Sequence, residues 1–166
     1  MKNTIHLIKL LALQTLGIFF FSIAGTRFYA CYRANLIDCF LKQGAGADCL
    51  NQLPGYTIGK LMTEMFYSSL YGIIFGFILI GFLNVRKKKS ILNTLLVVGL
   101  TVLLFVVGFY KLSRPLDLYL LSFGNLFSTD FGTASMIAGI CNLLLGSVCV
   151  WLSMKNGFQR KNRLQV

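Results

Sequence analysis

Four long apolar segments restrict the possible folds of this chain more than any other feature of its sequence. They cover residues 5–25, 62–85, 91–110 and 133–153, and the third contains no charged residue. A helix needs about 20 predominantly apolar residues to cross the hydrocarbon core of a bilayer. Each segment is therefore predicted to be a transmembrane helix.

The composition excludes an ordinary soluble domain. Hydrophobic residues make up 56% of the 166 residues and charged residues only 13%, whereas soluble domains have roughly 25% charged residues. A chain of about this length buries only about 70% of its surface on folding, so much of the apolar surface must face lipid. The predicted fold class is an all-α integral membrane protein, a four-transmembrane-helix bundle that forms a single domain over residues 1–166.

The charged residues predict the orientation of the bundle. The two ends of the chain and the loop at 86–90 contain no acid and have a net charge of about +10, carried by Lys2, Lys9, Arg86, Lys87, Lys88, Lys89, Lys155, Arg160, Lys161 and Arg163. Every acid lies in the opposite loops, 26–61 and 111–132, or close to them. Because cytoplasmic loops are enriched in Lys and Arg, both termini and the 86–90 loop are predicted to lie in the cytoplasm. The predicted location is the cytoplasmic (inner) membrane.

This asymmetry also explains the overall charge of +11, so no nucleic-acid partner is expected. The aromatic residues agree with the orientation. All seven tyrosines fall in the outer half of the predicted topology, while Trp151 falls at the inner end of the fourth span. Tyr and Trp favour the water–lipid boundary because an apolar ring has a polar tip.

The first outer loop contains an unusual stretch, CYRANLIDCFLKQGAGADC at residues 31–49. Apolar residues at three- and four-residue steps predict an amphipathic helix over 29–41, and Gly44-Ala45-Gly46 lets the chain reverse. Cysteines outside the membrane meet oxidising conditions. A disulfide between Cys39 and Cys49 is the first choice and one between Cys31 and Cys49 the second. Without a C-x-x-C motif, the bridge is interpreted as a structural staple that holds a cap.

Small and weakly polar residues form a seam along the fourth span: Ser135, Gly139, Asn142, Gly146, Cys149 and Ser153. Close packing of small residues drives helix association in lipid, so this seam is predicted to pack against another span. The second span, with Gly72 and Gly76, is the simplest partner. Asn142 is expected to form a hydrogen bond across helices. The alternative is that the seam docks a different protein.

Six charged residues at the outer side are candidates for a lipid- or substrate-binding site: Arg27, Lys60, Glu64, Arg114, Asp117 and Asp130. Glu64 stands out because an ionised side chain inside a span is costly unless it has a partner. Lys60, one helical turn away, is the nearest candidate partner, and Arg27 and Arg114 are others. One interpretation is a structural ion-pair network; the other is a polar pocket for a lipid head group or polar substrate.

The sequence contains no P-loop, G-x-G-x-x-G or H-E-x-x-H motif, so no cofactor, metal or particular enzymatic reaction is indicated. Two functions follow. The first is a non-enzymatic accessory or assembly subunit of a larger membrane complex, whose partners are membrane lipid and another membrane protein or a second copy. The alternative is an outer-leaflet protein, enzyme or transporter, that binds a lipid or lipid-linked substrate around Glu64.

Overall fold

The computed structural model describes residues 2–43, 56–87, 91–106 and 124–155. These residues are mostly helical, with no strand in the ranges described. The helices, numbered in chain order, are α1 (Lys2–Tyr32), α2 (Ala34–Gln43), α3 (Ile58–Arg86), α4 (Ile91–Val106) and α5 (Phe131–Lys155). The prediction of an all-helical protein is confirmed for the described residues.

Three helices are long and apolar enough to cross a membrane: Leu7–Tyr32 within α1, Ile58–Arg86 and Phe131–Lys155. They correspond to the first, second and fourth predicted spans. Each extends beyond its predicted limits, and the predicted first outer loop at 26–61 therefore begins inside α1. The predicted third span at 91–110 is described only as far as Val106, and its last residues lie outside the described ranges.

The central helix of the bundle is α1, which packs against both α3 and α5. Its glycines allow close approach on two sides. A Cβ added at Gly17 would lie 2.8 Å from Cγ2 of Val150 in α5, and one added at Gly25 would overlap the backbone oxygen of Ser68 in α3. Since close backbone approach is how helices associate in lipid, these glycines set the spacing on both sides of α1.

The small-residue seam of the fourth span is buried except at Cys149, which is half-buried. Its partner is α1 rather than the second span. A Cβ on Gly139 would lie 2.9 Å from the Phe28 ring, and one on Gly146 would lie 2.9 Å from the Phe21 ring. Gly72 and Gly76 of α3 also contact α1. The prediction was wrong about the partner because α1 carries the aromatic rings that fill both rows of small residues.

Asn142 does not form the predicted bond across helices. Its side-chain amide donates to the backbone oxygen of Ala138 in the same helix, at 2.8 Å, and its Oδ1 is buried without a partner in the described part of the chain. Polar links between helices lie elsewhere, and one of them begins at Gln14. Gln14 Nε2 donates to Asn84 Oδ1 at 3.2 Å, and Asn84 Nδ2 donates to Thr94 Oγ1 at 3.0 Å. This chain of bonds joins α1, α3 and α4.

One cluster of buried apolar residues is formed jointly by α1, α3, α4 and α5: Ile18, Phe21, Ile80, Val97 and Val150. The pairs Gly17–Gly146 and Phe28–Gly139 show that α5 runs antiparallel to α1. The pairs Gly25–Ser68 and Ile18–Gly76 show the same for α3. Consequently the start of α1, the turn after α3 and the end of α5 lie at one end of the bundle.

The amphipathic helix predicted over 29–41 is divided in the structure: residues 29–32 continue α1, and the part from residue 34 belongs to α2, which covers the opposite end. Leu36 and Ile37 of α2 are buried together with Ala30 and Leu61, and Cys39 packs beside them. Cys31 is a free thiol, which argues against the second choice of disulfide. Cys49 lies outside the described residues, so the Cys39–Cys49 bridge stays a prediction.

Candidate functional site

Glu64 is held by two tyrosines and an arginine near the α2 end of the bundle. The hydroxyl groups of Tyr29 in α1 and Tyr56, just before α3, each lie 2.5 Å from its Oε2. Arg33 Nη2 lies 3.9 Å from the same oxygen. All of these contacts are made by Oε2, so Oε1 is left without a hydrogen-bond or ion-pair partner among the described residues.

The oxygens of Tyr29, Tyr56 and Glu64 make three mutual contacts, but only two protons are present to form hydrogen bonds. The Tyr29 and Tyr56 hydroxyls are also 2.9 Å apart, and each has one proton to donate. Two protons therefore serve three contacts when Glu64 is a carboxylate, and the charged oxygen is the stronger acceptor. Burial and the hydrogen bond to Glu64 raise the pKa of Tyr56 above its usual range, so this phenol keeps its proton and remains a donor.

The predicted ion pair between Glu64 and Lys60 is not formed. Lys60 Nζ instead lies 5.2 Å from the centre of the Tyr56 ring. Arg33 takes the place beside the carboxylate, and its guanidinium also lies 4.9 Å from the Tyr32 ring and 5.4 Å from the Tyr56 ring. Lys60 was expected to be the partner because it is one helical turn from Glu64 in the same helix. Instead, Arg33, which follows the end of α1, lies beside the Glu64 carboxylate.

A groove of about 540 Å³ opens beside this cluster, between α1 and α3. We call it the tyrosine groove after its four tyrosines; its polar lining consists of Tyr29, Tyr32, Glu64, Tyr67, Ser68 and Tyr71. The groove belongs to the half of the bundle that lies away from the start of α1 and the end of α5. In the predicted topology this is the outer half of the membrane.

The far end of the groove is apolar. Gly25, Phe28 and Gly72 line it, and both glycines touch the backbone of the opposite helix. Tyr71, one residue from Gly72, keeps 69% of its surface exposed. The groove therefore has a charged end at Glu64 and an apolar end about two helical turns deeper. A lipid has the same arrangement, with a polar head group at one end and apolar chains at the other.

The other predicted site residues lie apart from the groove. Asp130 begins α5, and its Oδ2 accepts hydrogen bonds from the backbone N–H and the hydroxyl of Thr133, at 2.7 and 2.8 Å. These bonds hold the pKa of Asp130 below its usual range. Arg27 is buried, with 9% of its surface exposed, and does not line the groove. Arg114 and Asp117 lie outside the described residues.

Sequence reasoning missed Arg33 and all the tyrosines of the site. The signal was present: Tyr29 and Arg33 are four residues apart, as are Tyr67 and Tyr71, and this spacing places side chains on one face of a helix. The tyrosines were interpreted only as interfacial anchors. Which of them meet Glu64 depends on how α1 and α3 pack.

Within the described ranges, no group of three or more His, Cys, Asp or Glu side chains is arranged to hold a metal ion. The tyrosine groove and the Glu64 cluster therefore form the candidate site. No protein-family model, no curated protein and no solved structure matches this chain.

Proposed function

We propose that this protein binds a lipid or lipid-linked molecule in the tyrosine groove, at the outer leaflet of the cytoplasmic membrane. The observation that carries the proposal is the groove itself, about 540 Å³ in volume and lined by Glu64 at one end and by glycines and Phe28 at the other. Binding pockets for small molecules are typically clefts of about 300–1,000 Å³ with a few well-placed polar groups. The groove falls within this range.

The proposal includes a four-span topology with both termini in the cytoplasm. The common location of the start of α1, the turn after α3 and the end of α5 supports it, because an even number of spans returns the chain to its starting side. The basic residues Arg86 and Lys87 belong to the same end, as the positive-inside rule requires of a cytoplasmic side. The groove then opens toward the outer leaflet.

The Cys39–Cys49 bridge is part of the proposal, as a staple for the loop that follows α2. Peptide mapping under non-reducing conditions, with free thiols blocked before digestion, is expected to find the two peptides linked. A free thiol at Cys39 would contradict the staple without affecting the groove, since Cys39 does not line it.

Ser68→Leu tests the groove directly. Ser68 lines it, and its hydroxyl donates to the backbone oxygen of Met65 in the same helix. The larger side chain is expected to fill the groove and reduce the amount of lipid that stays bound through purification in mild detergent. Native mass spectrometry measures this. Ser147→Leu is the matched control, because Ser147 is exposed on α5 and also bonds within its own helix, to Leu143.

Equal lipid retention in both variants would contradict the proposal. The melting temperature of each detergent-solubilised variant is measured alongside, so that loss of lipid is compared only between folded proteins. Tyr71→Ala gives a second reading, because Tyr71 lines the groove but is mostly exposed. Its removal is expected to weaken lipid retention without affecting the fold.

A non-enzymatic accessory or assembly subunit is the second candidate function, and the uncovered face of α3 favours it. Only 11% of the apolar window of α3 is buried, against 44% for α1. Large side chains such as Ile74, Phe75 and Ile78 are exposed along it. This candidate no longer depends on the fourth-span seam, because α1 covers that seam.

A bulky substitution on this face distinguishes a protein partner from lipid. If α3 docks a second membrane protein or another copy, Ile78→Trp is expected to shift the purified complex to the size of a monomer. Phe82→Leu, a conservative change on the same helix, is the control. A wild-type protein that already migrates as a monomer in mild detergent would eliminate this candidate and leave the groove as the basis for function.

A further inference from the structure

The charge of the tyrosine groove indicates which end of a lipid it accepts. Of the described side chains that line the groove, Glu64 is the one that carries a charge. The basic residues nearby, Arg33 and Lys60, do not line it. Within the groove the one described charge that a ligand can contact is therefore negative, while the two cations lie just outside it.

The rings of the groove add to this preference. Tyr29, Tyr32, Tyr67, Tyr71 and Phe28 all contribute to its walls. The face of an aromatic ring attracts cations, and groups of such rings are a recurrent binding site for ammonium groups. The site already uses its rings in this way, since Arg33 lies over the Tyr32 ring at 4.9 Å.

Glu64 is fixed in position, and one of its two carboxylate oxygens has no partner among the described residues. Two tyrosine hydroxyls and Arg33 hold Oε2, which keeps the carboxylate in one orientation. Oε1 is left to accept a hydrogen bond from a ligand, because no described residue occupies it. A held carboxylate with one available oxygen suits an ammonium group, which donates hydrogen bonds and carries the opposite charge.

The two cations just outside the groove can contact an anionic group that lies next to the ammonium in the same ligand. Lys60 is exposed at the start of α3, and Arg33 keeps 30% of its side chain exposed. Both lie at the charged end of the groove, beside Glu64 and Tyr56. A zwitterionic phospholipid has a phosphate separated by two carbons from its ammonium group, so one head group can contact both sets of charges.

From these charges we infer that the tyrosine groove selects a zwitterionic phospholipid with an ammonium head group. The head group lies across the charged end, so that the ammonium contacts Glu64 and the nearest tyrosine rings while the phosphate contacts Lys60 and Arg33. The glycerol, which is attached to the phosphate, turns an acyl chain back toward the apolar end at Gly25 and Gly72. This inference rests on the proposed function, since it names the class of lipid bound in the same groove.

A competition experiment tests the inference. The full-length purified protein is incubated with equal amounts of phosphatidylethanolamine and phosphatidylglycerol that have identical acyl chains, and native mass spectrometry counts the bound lipids. The wild type is expected to prefer phosphatidylethanolamine by about threefold or more, as expected for one cation–π contact together with an ion pair. Glu64→Gln is expected to remove the preference while keeping total lipid binding.

Tyr67→Leu changes a groove tyrosine that lies about one helical turn from Glu64. It provides a test that does not depend on Glu64, in case the amide variant fails to fold. The leucine keeps an apolar wall but removes one ring face, so the preference is expected to fall while the protein stays folded. Phe82→Leu, outside the groove, is expected to leave the preference unchanged. Reduced preference in Tyr67→Leu alone, with an unfolded Glu64→Gln protein, would support the inference.

The outcomes separate the inference from the proposed function. A wild type that binds both lipids equally, or prefers phosphatidylglycerol, overturns the choice of head group, even if Ser68→Leu still lowers total binding. Binding that Ser68→Leu does not change overturns the proposed groove as well. A preference retained in both Glu64→Gln and Tyr67→Leu assigns the selectivity to another part of the surface and also overturns the inference.

Discussion

At the scale of single residues, the Glu64 cluster shows how a charge is kept within a span. An isolated carboxylate in that position would be costly, but two phenol donors and a guanidinium share the charge at Oε2. The tyrosines contribute more than neutral donors usually do, because hydrogen bonds to a charged acceptor are stronger. The cluster also links the end of α1 to the start of α3.

Tyr29→Phe tests this link. The substitution keeps the ring and removes only the hydroxyl that donates to Glu64, so the free energy of unfolding is expected to fall by about 1 kcal/mol, the typical net contribution of one hydrogen bond. Thermal unfolding in detergent measures the change. Tyr67→Phe is the control, because no described residue accepts a hydrogen bond from its hydroxyl. Equal melting temperatures for the two variants would show that the link contributes little.

Asp130 gives a pH-dependent prediction. Bonds from the backbone N–H and hydroxyl of Thr133 favour its charged form, so its pKa lies below the ordinary value of 3.8. A depressed pKa in the folded state stabilises the protein fully above that ordinary value, and the contribution is lost as pH falls through the folded pKa. Asp130→Ala is therefore expected to lower the melting temperature at pH 7, with the difference from wild type shrinking toward pH 3.

The readout is a series of melting curves between pH 7 and pH 3. Asp130→Asn separates the cap from the charge, because Asn is also a favourable residue before a helix. It is expected to retain much of the stability at pH 7 and to lose the dependence on pH. A melting-temperature difference between wild type and Asp130→Ala that stays constant over this range would contradict the assignment.

At the scale of helices, glycines decide which surfaces meet. A Cβ on Gly146 would lie 3.0 Å from the backbone oxygen of Gly17 and 2.9 Å from the Phe21 ring, whereas one on Gly81 would meet nothing within 4 Å. The two glycines occupy equivalent helical backbones. They differ in function because one is part of a helix interface and the other is not.

Gly146→Ala and Gly81→Ala make a matched pair. The first is expected to destabilise the bundle by about 1–3 kcal/mol, the usual cost of inserting a methyl group into a tightly packed contact. The second is expected to leave stability unchanged or to raise it by up to about 1 kcal/mol, since alanine restricts the unfolded chain. Thermal unfolding of both variants in the same detergent gives the comparison. Equal effects would show that α5 does not pack on α1 through Gly146.

At the scale of the whole molecule, the arrangement of the helices gives the bundle two unlike ends. One end contains the turn after α3, with its basic residues, and the other contains α2, the Glu64 cluster and the tyrosine groove. The predicted topology assigns the first to the cytoplasm. The proposed lipid site depends on this assignment, since it fixes the leaflet from which a ligand enters.

Labelling of introduced cysteines tests the orientation. A membrane-impermeant maleimide applied to intact cells is expected to react with Asn51→Cys and not with Lys88→Cys, and the latter is expected to react only after lysis. The protein with its native cysteines alone gives the background signal. Reaction of Lys88→Cys in intact cells would place the basic loop outside and reverse the topology.

Much of the fold was predictable from local sequence. The membrane class and the three long described helices follow from the length of the apolar segments, and α2 follows from its helical spacing of apolar residues. Burial of Gly139, Asn142 and Gly146 also followed from the pattern of small residues. These features were accessible because each depends on neighbouring residues of one helix, whose spacing is set by the helical repeat.

The tertiary structure alone decided which helices pair and what surrounds Glu64. Small residues mark a surface for close packing, but the seam of α5 and the Gly72–Gly76 face of α3 were equally suitable for each other. The rings of Phe21 and Phe28 made α1 the partner of α5, and the ring of Phe21 also packs against Gly76. Glu64 likewise meets Tyr29, 35 residues away, because the antiparallel packing of α1 and α3 brings their ends together. Contacts of this kind depend on how the surfaces of distant segments fit together. The spacing of residues within one segment gives no information about that fit.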